Sequence, residues 1–199
     1  MNLITPKTAL ISLSDKSNLD ELIAFLLGQK VKIISTGGTY NAIKKITNEV
    51  IEVSEFTGFE EMMDGRVKTL HPKIHAGILA RRETDLEILT DRGYEVIDMV
   101  IVNLYPFQET IASGCDFDEA LEKIDIGGPT MIRSAAKNFK DVAVISNPSD
   151  YGRLINEWKD QGGISYEFRK ELSQKVFQLM AEYNSAIANY LQNVSSDAP

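Results

Sequence analysis

Seven basic side chains lie close together in the segment GRVKTLHPKIHAGILARR, residues 65–82. They are Arg66, Lys68, His71, Lys73, His75, Arg81 and Arg82. No acidic residue interrupts them, although the whole chain has a formal net charge of -8. Basic runs often form only a solvated face, but glycine and proline residues indicate a loop here, and loops on rigid scaffolds commonly bind ligands. We therefore expect a site for a small anion.

Two further turns have the composition of a phosphate site. Residues 8–13 and 31–35 have strand-like sequences, and each is followed by a polar turn and then by apolar residues at helical spacing. This alternation predicts right-handed crossovers and a parallel sheet. The turns at 14–17 (SDKS) and 36–39 (TGGT) then lie at the carboxyl ends of strands, where helix N-termini offer N–H groups to an anion. A Gly-Gly pair can equally be needed only for a left-handed backbone conformation, without a role in binding. Neither turn matches a Walker or dinucleotide motif.

Tyr105 is a further candidate for the same edge, and two charged residues follow it on a predicted helix. Residues 96–104 (VIDMVIVNL) are apolar enough for a central parallel strand, and Pro106 after them directs Tyr105 toward extended geometry at the carboxyl edge. An aromatic plug of the core is the alternative for Tyr105. Asp125 precedes a glycine pair at the start of a predicted helix, where a cap or turn residue is the usual explanation. Lys137 follows on the same helix and shares one face with Arg133, which in isolation indicates a solvated stripe.

Composition excludes several classes of function. A sequence pI of about 4.9 argues against a general partner such as nucleic acid or an anionic membrane surface. The single cysteine, Cys115, excludes an intrachain disulfide, and with two histidines no Cys/His metal site is expected. Neither a run of eighteen apolar residues nor a signal peptide is recognisable, so a cytoplasmic location is expected.

The chain of 199 residues is long enough for one main core with a helical appendage. We assign residues 1–147 to an α/β core and residues 148–199 to a C-terminal helical extension. Apolar residues recur at helical spacing from 166 to 191, which predicts one long helix or two. Their apolar stripe is expected to face the core or another subunit.

Five segments resemble a known family. They are SDKS at 14–17, STGGTYNAI at 35–43, EFTGFEEMMDGRVKTLHPKIHAGILARR at 55–82, NLYPF at 103–107 and DIGGPTMIRSAAKN at 125–138. Together they resemble the IMP cyclohydrolase domain of the bifunctional purine-biosynthesis protein, over nearly the whole chain. The transformylase domain of that family, which uses folate, is absent from this sequence. The resemblance implies a methylglyoxal-synthase-like, three-layer α/β fold with a central, mostly parallel sheet.

The resemblance also implies an activity. This is ring closure of 5-formamidoimidazole-4-carboxamide ribotide (FAICAR) to IMP with loss of water, without a cofactor or metal, in a cytoplasmic homodimer. The implied catalytic residues are Lys68, Tyr105, Asp125 and Lys137. The implied substrate-binding residues are Ser14, Asp15, Lys16, Thr36, Gly37, Gly38, Thr39, Arg66, Val67, Thr69, Asn103, Ile126 and Gly127. Nucleic acid and membrane are not expected as partners.

The chemistry requires orientation of one molecule and management of protons. We assign Asp125 and Lys137 to proton transfer at the attacking amide, and Lys68 with Tyr105 to the oxyanion at the formyl carbon. Lys137 lies some 12 Å along its helix from Pro129, at about 1.5 Å per residue, so this assignment requires the helix to run alongside the pocket. The alternatives are a methylglyoxal-synthase-like lyase and a non-catalytic nucleotide-sensing module.

Overall fold

The computed structural model describes residues 3–193. It contains seven strands and ten α-helices, with one short 3-10 helix at Pro148–Asp150. The strands are β1 Leu3–Ile4, β2 Thr8–Leu13, β3 Lys32–Ser35, β4 Ile51–Glu52, β5 Met99–Asn103, β6 Ala143–Ile145 and β7 Ile164–Ser165. The helices are α1 Leu19–Gly28, α2 Gly37–Lys44, α3 Val53–Thr57, α4 Pro72–Leu79, α5 Leu86–Asp91, α6 Phe107–Ala112, α7 Phe117–Glu122, α8 Gly127–Lys137, α9 Tyr151–Gln161 and α10 Tyr166–Asn193.

A five-stranded parallel sheet forms the centre of the molecule, in the order β4-β3-β2-β5-β6. The chain builds the sheet outward from β2 in one direction through β3 and β4, and then in the other direction through β5 and β6. The two halves therefore meet between β2 and β5, where Leu13 pairs with Asn103. In open parallel sheets, ligands bind in the crevice at such a reversal of strand order.

Helices cover both faces of the sheet and complete three layers. On one face α1 contacts α2 and α9, and on the other α8 contacts α4 and α10. The apolar residues of the central strands are sealed between these layers, and Leu10 and Val100 are both 0% exposed. The predicted α/β class with a central parallel sheet is confirmed. Within residues 3–193, no helix combines the length and apolar character needed to cross a membrane.

The C-terminal helix α10 is continuous and packs into the same core as the sheet. Phe168, Leu172 and Val176 are at most 1% exposed and belong to one apolar cluster with the strand residues. The Arg169 side chain is fully buried and donates hydrogen bonds to the carbonyl oxygens of residues that follow α8, including Phe139. The chain from 148 onward thus shares its core with residues 1–147, and the proposed boundary at 147 stays a prediction.

Two features of the fold differ from the sequence predictions. The second half of the basic loop is a helix, α4, which begins with Pro72 in its first turn and has the His71 side chain as its N-cap. Pro is favoured at this position because its missing N–H is not needed there. The small antiparallel sheet of β1 and β7 was not predicted, because each strand has only two residues and no alternation can be read from so short a segment.

Candidate functional site

The crevice between β2 and β5 is bridged by the side chain of Asn103. Its Oδ1 accepts hydrogen bonds from the backbone N–H groups of Ser14 (2.6 Å) and Asp15 (3.0 Å), and its Nδ2 donates to the Asp15 carbonyl oxygen (2.7 Å). The Lys16 ammonium folds back and donates to the carbonyl oxygens of Leu13 and Ser14. The first turn is therefore held rigidly across the crevice, with Asn103 engaged in supporting it.

The second turn opens α2. Helix α2 begins at Gly37, which has a φ of 42°, a left-handed conformation that glycine adopts without strain. At Gly38 an added Cβ would meet nothing within 4 Å, so the space beside this first turn of the helix is open. The hydroxyl of Thr39 bonds the backbone of Leu13 (2.8 and 3.0 Å), and that of Thr36 bonds Ser12. These two hydroxyls tie the turns together, and the N–H groups at the start of α2 face the open space.

The basic loop crosses this helix terminus on a tight hairpin. Met62 and Val67 form an antiparallel bridge, and Met63, Asp64 and Gly65 between them all have positive φ. This register places Glu61 opposite Lys68, and the two side chains form an ion pair. The Lys68 ammonium lies 3.2 Å from the position of a Cβ at Gly37. The hairpin thus places the Lys68 ammonium beside the second turn.

The three arginines of residues 65–82 lie in two separate places, so the basic side chains of this segment do not all line one site. Arg66 is exposed near the hairpin and pairs with Glu122 of α7. Arg81 and Arg82 lie beyond the other end of α4, where Arg81 pairs with Asp85 and Arg82 pairs with Asp98 just before β5. Helix α4 carries these two arginines away from the crevice.

The segment around Asp125 closes the site from the other side. The hydroxyl of Thr69, which is 7% exposed, lies 2.6 Å from the position of a Cβ at Gly127, and an added Cβ at Gly128 would strike the Asp125 carboxylate. Both glycines are required by this close approach. The loops around residues 36–39, 65–69 and 125–128 consequently form one cleft at the carboxyl edge of the sheet.

The Asp125 carboxylate bonds the start of α8 and is a half-buried titratable group. Its Oδ1 accepts a hydrogen bond from the Gly128 N–H at 2.9 Å, and the Tyr105 N–H also donates to this carboxylate. Burial raises the pKa of Asp125, and these two hydrogen bonds offset part of the increase. Tyr105 itself is 51% exposed at the rim of the cleft. A carboxylate with a raised pKa beside an open cleft is suited to proton transfer.

Lys137 does not reach this cleft within one chain. It is exposed in the last turn of α8, and the next residue, Asn138, bonds the carbonyl oxygens of Ile78 and Ala80 at the far end of α4. Ten residues of helix separate Lys137 from Gly127, about 15 Å at 1.5 Å per residue. Within one chain α8 runs away from the carboxyl edge, and a role of Lys137 in the reaction stays a prediction.

The remaining predicted residues lie around the same cleft. Ser14 is half-buried in the first turn, Val67 is fixed by its bridge to Met62, and Ile126 is 57% exposed at the N-cap of α8. The Ile126 carbonyl oxygen accepts bonds from the N–H and hydroxyl of Thr130. In residues 3–193 we find no group of three or more His, Cys, Asp or Glu side chains arranged to hold a metal ion.

Three residues that contact the site were not predicted from the sequence. Glu61 and Glu122 pair with the two site cations, and the hydroxyl of Tyr183 in α10 accepts a hydrogen bond from the Asp125 N–H at 2.8 Å. The Asp64-Gly65 dipeptide is a hairpin signal that would have predicted the Glu61 pairing. No local pattern signals Tyr183, because its contact joins residues that are distant in sequence.

Comparison with known proteins places the chain in a family. The model of the MGS-like domain matches residues 18–130, and that of the AICARFT/IMPCHase bienzyme matches residues 135–199. The bifunctional purine biosynthesis protein PurH of Clostridium perfringens is 51% identical over 195 residues, which cover 97% of this chain and 39% of that protein. PurH of Clostridium botulinum is 51% identical over 187 residues, covering 93% of this chain and 38% of that protein.

The chain thus spans about two fifths of the length of the curated relatives it matches. A solved structure described as the crystal structure of ForH is 35% identical, with a TM-score of 0.78, and the match covers 91% of this chain and 96% of that one. Because the first family model matches more than half of its residues, the chain belongs to the family of MGS-like domains.

Proposed function

We propose that this chain is an IMP cyclohydrolase domain that closes the ring of FAICAR to give IMP. The proposal is supported by the match to the PurH proteins and to the AICARFT/IMPCHase model. One observation carries it at the level of the site: the Lys68 ammonium lies beside Gly37 while Thr69, the next residue, lies against Gly127. Two adjacent residues of the basic loop therefore touch both an anion-binding turn and the Asp125 segment.

In this proposal the nucleotide phosphate binds at the start of α2. The N–H groups at Gly37 and Gly38 and the positive end of the helix dipole favour an anion there, and the first turn with Lys16 borders the same space. Thr69 completes the phosphate site, while Arg66, Val67, Asn103, Ile126 and Gly127 hold the base and ribose. Arg66 would exchange its partner Glu122 for substrate. Such an exchange costs little, because an exposed ion pair is worth only about 0–1 kcal/mol.

The reaction forms one C–N bond and releases one water. The carboxamide nitrogen attacks the formyl carbon and loses a proton, the formamide nitrogen loses another, and the formyl oxygen departs as water with both. Asp125 accepts the first proton, because its carboxylate is half-buried and desolvation raises its pKa. Lys68 and the phenol of Tyr105 stabilise the developing oxyanion, a contribution of about 3 kcal/mol for one well-placed donor. We expect no cofactor for this step.

The decisive experiment measures conversion of FAICAR to IMP by absorbance with the 199-residue chain alone. Lys68→Ala separates an enzyme from a nucleotide sensor, since an enzyme loses turnover while IMP binding is partly retained. We expect kcat to fall at least about a hundredfold. Failure of the wild-type chain to turn over FAICAR, despite tight IMP binding, would contradict the proposal.

Lys137→Ala is the second variant, because Lys137 lies away from the cleft of its own chain. Unchanged turnover in this variant would remove Lys137 from the reaction. Loss of turnover with an unchanged melting temperature would instead require its ammonium to enter the cleft of a second copy. Mixing Lys137→Ala with Lys68→Ala chains then tests this, since only mixed dimers that complement each other regain activity.

A further inference from the structure

Tyr183 links the C-terminal helix to the segment that carries Asp125. It is 8% exposed on α10, and its hydroxyl accepts a hydrogen bond from the Asp125 backbone N–H at 2.8 Å. The same hydroxyl lies 3.4 Å from the Lys123 carbonyl oxygen, to which it donates. One phenol thus satisfies a donor and an acceptor of the short connection between α7 and α8, where no regular secondary structure holds the backbone.

The ring of Tyr183 also supports the segment that carries Tyr105. It packs against Phe107 in an edge-to-face arrangement, with ring centroids 6.2 Å apart, and Phe107 is only 1% exposed. The Phe107 N–H in turn donates to the Tyr105 carbonyl oxygen at 2.8 Å. Tyr183 therefore lies beneath both segments, and these meet where the Tyr105 N–H donates to the Asp125 carboxylate.

We infer that Tyr183 is a positioning residue for Asp125, which it orients through the backbone from outside the cleft. The inference rests on the proposed function, because it concerns the group that accepts the proton. Without the hydroxyl, the Asp125 N–H loses its acceptor and the connection relaxes. A displacement of about 1 Å at a reacting group can cost about a hundredfold in rate. This role makes α10 part of the cyclohydrolase site.

The test compares Tyr183→Phe with Tyr190→Phe. Both residues lie on α10 and both pack edge-to-face on Phe107, Tyr190 at 5.7 Å. Both substitutions keep the aromatic ring and remove only the hydroxyl. Only Tyr183→Phe removes the hydrogen bond to Asp125. We expect Tyr183→Phe to lower kcat at least about tenfold. KM and the Kd for IMP should stay within about twofold, and Tyr190→Phe should change all three by no more than about twofold.

A second measurement does not depend on turnover. Backbone amide exchange at Asp125, followed by NMR, should accelerate at least about tenfold in Tyr183→Phe and stay near the wild-type rate in Tyr190→Phe. The pKa of the Asp125 carboxyl should also shift in Tyr183→Phe and not in Tyr190→Phe. Equal kcat values, or equal exchange and titration, in the two variants would overturn the inference. A wild-type chain without turnover would overturn the proposed function, and exchange at Asp125 would still decide whether Tyr183 holds this segment.

Discussion

Lys68 and Arg66 at the cleft each face a carboxylate. Lys68 pairs with Glu61 and Arg66 pairs with Glu122, and the two arrangements involve partly exposed side chains. Within an acidic chain, such pairing keeps a focused positive site from attracting unrelated polyanions, because the local charge is balanced until a ligand with better geometry replaces the carboxylates. The selectivity of the site for its ligand would then depend on shape as much as on charge.

Asp125 gives a prediction for pH dependence. Since burial raises its pKa, a carboxylate that acts as base is lost when the pH falls through this raised value. The acid limb of kcat/KM should therefore lie above the usual aspartate range near 3.9. Asp125→Asn should remove this limb and lower kcat at least about a hundredfold. The measurement is kcat/KM for FAICAR cyclisation across the pH range in which the folded chain is stable.

Asp116→Asn is the matched control for this profile, because Asp116 also caps a helix by accepting the Glu119 N–H at 2.8 Å.

The pH dependence of stability independently checks the direction of the Asp125 pKa shift. A carboxyl whose pKa is raised on folding contributes stability below its unfolded pKa, and this is lost as pH rises through the folded value. The free energy of unfolding of the wild type should thus fall relative to that of Asp125→Asn as the pH increases. A rise in this difference with pH would contradict a pKa of Asp125 raised by burial.

Residue chemistry in the cleft was partly predictable. Thr36, Gly37 and Gly38 were identified because turns after apolar segments fall at one edge of a parallel sheet. The placement of Lys137 was not predictable, since it depends on the direction in which α8 runs relative to the cleft. The pairing of Lys68 with Glu61 was missed, although the Asp64-Gly65 dipeptide signals the hairpin that produces it.

At the scale of elements, the start of α8 depends on a glycine. An alanine Cβ at Gly128 would lie 2.9 Å from Leu104 Cδ2 and even closer to the Asp125 carboxylate, and both are packed beneath the site. We expect Gly128→Ala to lower the free energy of unfolding by about 1–3 kcal/mol through overpacking. It should also displace Asp125 and reduce kcat. Chemical denaturation and FAICAR turnover measure the two effects.

Gly28→Ala provides the comparison, because an added Cβ at Gly28 would meet nothing within 4 Å at the end of α1. Alanine in a helix is favoured over glycine by roughly 0.5–1 kcal/mol, so this variant should be neutral or slightly more stable. If Gly128→Ala matched Gly28→Ala in both stability and turnover, the tight packing between α8 and the Asp125 segment would be refuted.

Elements with a regular apolar spacing were predicted well, while a helix that contains proline and glycine and a pair of two-residue strands were not. The helix at α1 and the strands β2 and β5 follow directly from apolar spacing over several residues. Helix α4 was interpreted as a loop because it contains Pro72 and Gly77. In the fold Gly77 allows close approach, since a Cβ there would lie 2.6 Å from the Glu95 carbonyl oxygen. Tertiary packing thus explains a glycine that local propensity treats as a helix breaker.

At the scale of the whole molecule, α10 completes one core with the sheet, so ligand binding should stabilise the chain as a unit. With IMP at about 100 times its Kd, linkage gives about 2.7 kcal/mol. For a chain of this size that raises the melting temperature by roughly 5–10 °C. Calorimetry of the chain with increasing IMP measures the shift.

Inosine, which lacks the phosphate, should raise the melting temperature much less than IMP at equal concentration. The proposed phosphate site at the start of α2 predicts this difference, and equal shifts from the two compounds would argue against it. A single calorimetric transition is also expected, because the buried residues of α10 and the sheet form one cluster.

The small sheet of β1 and β7 has a consequence for how the chain matures during translation. Leu3 pairs with Ser165, so β1 finds its partner only after β7 has also been synthesised. At about 5–20 residues per second, this delay is roughly 8–30 seconds. Strand β1 must remain unpaired through that interval, so its docking follows the synthesis of all five strands of the central sheet.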